Sequence, residues 1–350
     1  MGAPGTRGKR FALGLILLAA LLAGCGPTTA PAPEQAAVSE PLVWPAPPAF
    51  PRVRFLKTVA RPADLGVTPS FWERIGRIIL GPEEDWLIRP AGVAVSGPVI
   101  YVADPGAQAL WVLDAQAGRF RKIQKARQRR LVSPVGVAIG HDRTYLSDSF
   151  LATIFVFDRD LKLFATIADP GWRRPAGLAF DASRDRLYVA DSAAHRVWIH
   201  SGDGRQIGAI GQRGTGPGEF NFPTHVAVDP QGGLYVTDSL GFRVQVFEAD
   251  GRFAASFGRH GDSAGDFAMP KGAALDSKGH IYVVDAMFDT VQIFDRQGRY
   301  LLAFGERGIR RGQFWLPTGI FIDPDDRIYV ADSYNQRIQI FQYLAGGPDE

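Results

Sequence analysis

From residue 90 onward, short apolar runs alternate with clusters of turn-forming residues. Within 223–258, Val226-Ala-Val228 leads into an Asp229-Pro-Gln-Gly turn, and Leu234-Tyr-Val, Val244-Gln-Val-Phe and Phe253-Ala-Ala-Ser-Phe follow in order. Period-two runs of this length between Gly/Asp turns predict antiparallel strands, four to a unit. The unit recurs. A tyrosine three residues before an aspartate appears at Tyr101/Asp104, Tyr145/Asp148, Tyr188/Asp191, Tyr235/Asp238, Tyr282/Asp285 and Tyr329/Asp332, with the aspartates 44, 43, 47, 47 and 47 residues apart. Pro90, Pro134, Pro175, Pro223, Pro270 and Pro317 each precede their marker by 14 to 16 residues. That period belongs to one four-stranded propeller blade, so the chain is predicted to be all-β, a six-bladed β-propeller. The 40 glycines and 25 prolines agree with an architecture rich in turns and disfavour a helical bundle.

The sixth unit stops after its third strand, Ile338 to Phe341. Residues 52–60, Arg-Val-Arg-Phe-Leu-Lys-Thr-Val-Ala, have strand character and are predicted to supply the missing fourth strand, which closes the ring and removes two sheet edges. Ser70-Phe-Trp-Glu73 is a capping box that predicts a short helix over 70–80, with Phe71, Trp72, Ile75, Ile78 and Ile79 on one side and Gly81-Pro82 ending it. The expected order is a folded body at 52–344, with blades from 90, and a tail at 345–350.

With Pro-x-Gly, an apolar strand, Asp-x-x-Gly, Tyr-Val-x-Asp-Ser, Arg-Val/Ile-Gln-Val/Ile-Phe and Gly-Arg in sequence, residues 90–344 resemble the NHL-repeat family. Units 3, 4 and 6 carry the arginine (Arg196, Arg243, Arg337), whereas units 1 and 2 have Ala109 and Thr153 there. The resemblance implies a six-bladed propeller with a broad range of binding and occasionally enzymatic roles. In enzymes of similar fold, the x of Pro-x-Gly supplies metal ligands at the channel mouth. Here those residues are Ala91, Val135, Ala176, Thr224, Lys271 and Thr318, and only His225, in place of the repeat glycine, adds an imidazole. A zinc or calcium site needs more donors, so no metal, no cofactor and no catalytic residue are expected. The six aspartates are expected to accept turn N–H groups and, in units 3, 4 and 6, to meet the arginine five residues on. The Gly-x-x-Gly-x-x-x-Gly-x-Phe segments at 211–220, 258–267 and 305–314 lack the Lys-Ser/Thr of a phosphate loop and read as connections between blades.

The N-terminal region points to export. Arg7, Lys9 and Arg10 precede an apolar run from Phe11 to Ala23, too short for a permanent membrane span. Leu22-Ala23-Gly24-Cys25 resembles the bacterial lipobox, which implies that 1–24 is a lipoprotein signal peptide and that Cys25, the sole cysteine, is lipidated. Gly26 rather than aspartate follows it, which favours the outer membrane over the inner. Residues 25–51 read as a Pro-rich tether. Removal of 1–24 leaves 36 Lys+Arg against 36 Asp+Glu, so the formal charge of +3 resides in the signal and gives no reason to expect nucleic acid. One local patch remains, at Arg119, Arg121, Lys122, Lys125, Arg127, Arg129 and Arg130; it fits a solvated edge strand or an anionic envelope polymer or lipid head group.

Because each first strand runs from the connecting loop to the opposite side, the Pro-x-Gly segments and the post-aspartate loops share one face. The tether is expected to enter from the other face. On the first face Phe150, Leu151, Leu240, Phe242, Met287, Phe288 and Tyr334 stand where small polar residues are usual; they either pack on neighbouring blades or form a partner patch. The reading is a lipid-anchored envelope binding or scaffold propeller recognising a protein or polymer partner, with Phe150, His225, Phe242, Lys271, Phe288 and Tyr334 as its candidate face. The alternative is a hydrolase or lyase at the channel mouth, with His225 as acid/base group and Lys271 as electrostatic partner.

Overall fold

A computed structural model describes residues 41–67 and 86–345. The region of the expected helix over 70–80, Cys25 and nearly all of the tail lie outside them. The described residues form the predicted propeller. The first strands of the blades, Gly92–Ser96, Pro134–Gly140, Pro175–Asp181, Pro223–Val228, Pro270–Leu275 and Ile320–Ile322, pack side by side round a central channel, the sixth against the first. Each blade continues outward as an antiparallel meander, as in Leu234–Asp238, Arg243–Phe247 and Phe253–Phe257 of blade 4.

The ring closes through the N-terminal segment. Val53–Val59 pairs antiparallel with Arg337–Tyr343, from Val53 opposite Tyr343 to Val59 opposite Ile338, and so becomes the fourth strand of blade 6. Val53 and Val59 are fully buried, each worth about 1.5–3 kcal/mol on a transfer basis. The folded body also starts earlier than 52. Val43–Trp44 pairs with the closing strand as a fifth strand, and the Trp44 ring packs against Phe304 and Phe341 at 5.8 and 5.7 Å. Leu42 and Trp44 lie against Gly312 in the connection between blades 5 and 6. The incoming chain thus runs back along the outer edge of blade 6 before it reaches residue 52. Residue 52 itself lies at the Asp-x-x-Gly end, as expected: Val53 stands opposite Tyr343, whose N–H donates to the Asp326 carbonyl of that turn.

The repeated residues each hold one joint. All six marker aspartates are fully buried and act as staples. Asp104 accepts the backbone N–H groups of Ile88, Arg89 and Ala107, and Asp285 those of Ala268, Met269, Met287 and Phe288, which ties each Pro-x-Gly approach to the second strand. The serine after the aspartate reaches the next blade: Ser149 donates to the Pro175 carbonyl, Ser192 to that of Pro223, and Ser333 to that of Pro90, the last joining blade 6 to blade 1. At the other end Tyr235, Tyr282 and Tyr329 donate to Asp229, Asp276 and Asp323 of the Asp-x-x-Gly turns. Phe220, Phe267 and Phe314, which end the glycine-rich segments, are fully buried, and a Cβ on Gly211, Gly258 or Gly305 would collide with those rings at 2.3 Å or less. The segments are connections, as expected.

One expected pairing fails. Arg243 meets Asp238 at 3.1 Å and Arg337 meets Asp332 at 2.7 Å, but Arg196 of blade 3 lies over the Trp198 ring at 5.0 Å. The indole N–H of Trp198 takes an oxygen of Asp191 instead. Blades 4 and 6 have Gln245 and Gln339 at the Trp198 position, and those amides reach the connection carbonyls of Glu219 and Gln313, beside the arginine.

Candidate functional site

The channel has a waist. A Cβ built on Gly92, Gly136, Gly177, Gly272 or Gly319 would stand 2.1–2.6 Å from backbone atoms of the following inner strand, so only glycine permits this close approach. At the sixth equivalent position blade 4 has His225. Its side chain lines the cavities on both sides of the waist, yet both ring nitrogens are buried and have no hydrogen-bond partner among the described residues. Burial pushes its pKa from 6.5 down to about 4, so the ring is neutral at ordinary pH.

The two cavities differ. Toward the Asp-x-x-Gly face lies a chamber of about 620 Å3, walled by the apolar ends of the inner strands, Val95, Ile139, Phe180, Val228, Leu275 and Ile322. Toward the Pro-x-Gly face lies a mouth of about 330 Å3 that carries two cations, Lys271 and Arg174. The hydroxyls beside them are committed: those of Ser149, Ser192 and Thr224 donate to carbonyls of the following blade. Burial and the charge of Arg174 both lower the Lys271 pKa, against an opposing pull from Asp285.

Around this mouth, the second residue after each marker aspartate decides the surface. In blades 2, 4, 5 and 6 it is Phe150, Leu240, Met287 and Tyr334, exposed by 75%, 46%, 58% and 47%. Blades 1 and 3 have Gly106 and Ala193 there. Phe242 and Phe288 lie deeper. Phe242 takes the left-handed backbone position two residues further on (φ 54°) and packs at a tilt against the His260 ring at 4.4 Å, and Phe288 is half-buried. The structure therefore divides the expected patch: Phe150 and Tyr334 belong to the exposed tips with Leu240 and Met287, whereas Phe242 and Phe288 pack. Trp315, 41% exposed, extends the patch beside Tyr334 at 5.6 Å, and Arg89 lies over the Tyr334 ring.

The basic patch separates into two parts. Arg119, Arg121 and Lys122 belong to the outer strand of blade 1: Arg119 approaches Asp114, Arg121 donates to the Asp160 carbonyl, and Lys122 lies over Trp111 at 4.9 Å. Lys125, Arg127, Arg129 and Arg130 form an exposed two-stranded hairpin between blades 1 and 2. Arg174 and Trp315 escaped the sequence reading. Alignment of the residue before each Pro-x-Gly proline (Arg89, Ser133, Arg174, Phe222, Met269, Leu316) would have exposed the cation beside the mouth.

Comparison with known proteins agrees with this architecture. The NHL-repeat model matches residues 314–341, and that of a 6-bladed beta-propeller family matches 180–234. The protein is a six-bladed β-propeller, and the part of it that matches the NHL-repeat model is 314–341, in the sixth blade. No curated protein matches the chain. Among solved structures it is similar to a structural genomics protein of unknown function from Bacteroides thetaiotaomicron (15% identity, TM-score 0.60, 75% of this chain and 71% of that one). It is also similar to an auxiliary nutrient binding protein from the same organism (12%, 0.59, 74% and 70%) and to virginiamycin B lyase from Staphylococcus aureus (12%, 0.56, 73% and 96%). At these identities the likeness is one of fold.

Proposed function

We propose that this is an exported, lipid-anchored binding propeller of the bacterial envelope, held through Cys25 and recognising a protein partner through its Pro-x-Gly face. The observation that carries the reading is the register of exposed apolar tips, Phe150, Leu240, Met287 and Tyr334, at the same position in four of the six blades around the mouth. Large apolar side chains held in water at loop tips, with Trp315 beside them, form the kind of patch that protein interfaces bury. The fold serves binding in one solved neighbour and carries the name of a lyase in another. For this chain the lyase reading relies on His225, whose ring nitrogens are both shielded and which burial holds neutral.

The test is site-specific photocrosslinking in intact cells. A photoreactive residue at 150 or 287 should capture one discrete protein, and the same residue at 278 on the opposite face should not. Serine at Phe150, Leu240 and Tyr334 should abolish capture from 287. Equal capture from both faces would reject this surface. Cys25→Ser should release the protein from the membrane fraction, a result that bears on the anchor alone.

A further inference from the structure

We propose that the Pro-x-Gly mouth is a binding site for the carboxylate or phosphate group of a small molecule, clamped between Lys271 and Arg174. Both side chains line one cavity of about 330 Å3, a volume suited to a small metabolite. Among the described residues neither forms an ion pair or side-chain hydrogen bond, and Arg174 is held only against the Phe222 ring at 5.9 Å. Their situation differs from that of the two repeat arginines ion-paired near this face. Arg243 and Arg337 are consumed by Asp238, Asp332 and the carbonyls of the adjoining connections. The carboxylate that favours the Lys271 ammonium, Asp285, spends both oxygens on four backbone N–H groups.

The repeat does not require this charge. The position of Lys271 is Ala, Val, Ala, Thr and Thr in the other blades, and the fold is complete there without a cation. A half-buried ammonium beside a guanidinium, with Asp285 as a counter-charge already spent on backbone N–H groups, destabilises the empty mouth through desolvation and like-charge repulsion. An oxyanion between them removes both penalties, with the guanidinium offering a planar fork and the ammonium a point charge. Because the nearby hydroxyls already donate to carbonyls, the two cations are the donors that remain. The floor is the glycine waist with neutral His225, so the anionic group enters from the outer face and its remainder points back toward the loop tips. The site does not depend on the partner reading, since a small oxyanion can bind with no macromolecule present.

The experiment titrates the full chain, in mild detergent, with inorganic phosphate in one arm and citrate in the other, followed by calorimetry. Saturable binding of either is the expected result, and the arm that binds tells a phosphorylated ligand from a carboxylate. Lys271→Met and Arg174→Gln should each weaken it at least tenfold, and Lys278→Gln on the opposite face should leave it within twofold. In anion-free buffer Lys271→Met should melt no lower than the native chain, because it removes a charge that desolvation and Arg174 disfavour; Lys271→Gln repeats the test should Met misfold. Absence of saturable binding at millimolar probe in both arms, or binding that both mouth variants leave unchanged, overturns the proposal.

Discussion

The aspartate ring and the loop tips that follow it are two residues apart in sequence and behave as opposites. Asp148 is fully buried and accepts three backbone N–H groups, from Val132, Ser133 and Leu151, whereas Phe150 is three-quarters exposed. Asp332 and Tyr334 repeat the contrast. The aspartate recurs in every blade because every blade has the same joint to hold. The tip varies from glycine to phenylalanine because the joint places no demand on it. Six similar carboxylates on one face look like chemistry and are masonry; the irregular neighbours are where this propeller can differ from another.

The contrast is broken most severely by removing what the repeat itself lacks. A chain beginning at residue 61 loses both Val43–Trp44 and the closing strand, which bares the outer edge of Arg337–Tyr343 and uncovers Phe341. It should show no cooperative melt; a transition close to that of the intact chain would show that the ring closes without this segment. Next in size is the staple. Asp332→Ala strands Arg337, itself largely buried, with no carboxylate partner, frees the Trp315 backbone N–H and removes one of the two acceptors of the Gln339 amide. Burial already pushes the Asp332 pKa up against the pull of Arg337, so the pair sits in a poorly solvated place. Its loss should cost about 3–5 kcal/mol in denaturant unfolding. A cost below about 1 kcal/mol would mean that the aspartate ring is not structural.

The fold was legible because its signals are local and repeated six times. The closing strand was legible for a different reason: a blade one strand short leaves an edge, and 52–60 was the segment with the right pattern to cover it. Trp44 was hidden because its meaning lies in Phe304 and Phe341, far away along the chain, while its own neighbourhood reads as proline-rich tether. The misassigned Arg196 shows how a motif can be present and its contact absent. The tryptophan two residues on competes for the same carboxylate, a choice that the arginine spacing alone does not reveal. Within the candidate face, spacing marked apolar residues after four of the six aspartates. Backbone geometry decides which member points outward: the fourth residue takes the left-handed turn and Phe242 packs there, while the second stands at the tip.

His225 sharpens the comparison along the channel, since it replaces a glycine that the other five blades keep. Above pH 6.5 neither folded nor unfolded chain protonates it. As the pH falls below 6.5 the unfolded chain takes up a proton that the folded chain refuses until about pH 4, so stability is lost across that window. Between pH 7 and pH 5 the native chain should lose about 2 kcal/mol more than His225→Gly in urea unfolding. Parallel profiles for the two chains would mean that the ring is solvated, and that the waist is wider than its geometry indicates.

The smallest effect on stability is expected where the effect on function is greatest. Phe150→Ser and Tyr334→Ser remove exposed tips with no part in the staples, and each should change unfolding free energy by no more than about 0.5 kcal/mol. The same substitutions should abolish crosslinking to the partner captured from position 287. Asp332→Ala, in contrast, should reduce capture only in proportion to the fraction of chain unfolded. A tip variant that destabilises as much as the staple variant would mean that Phe150 or Tyr334 packs in the working protein. The apolar crown would then be part of the architecture, and the partner face would have to be sought elsewhere, first at the Lys125, Arg127, Arg129 and Arg130 hairpin, whose charges also exceed anything the repeat requires.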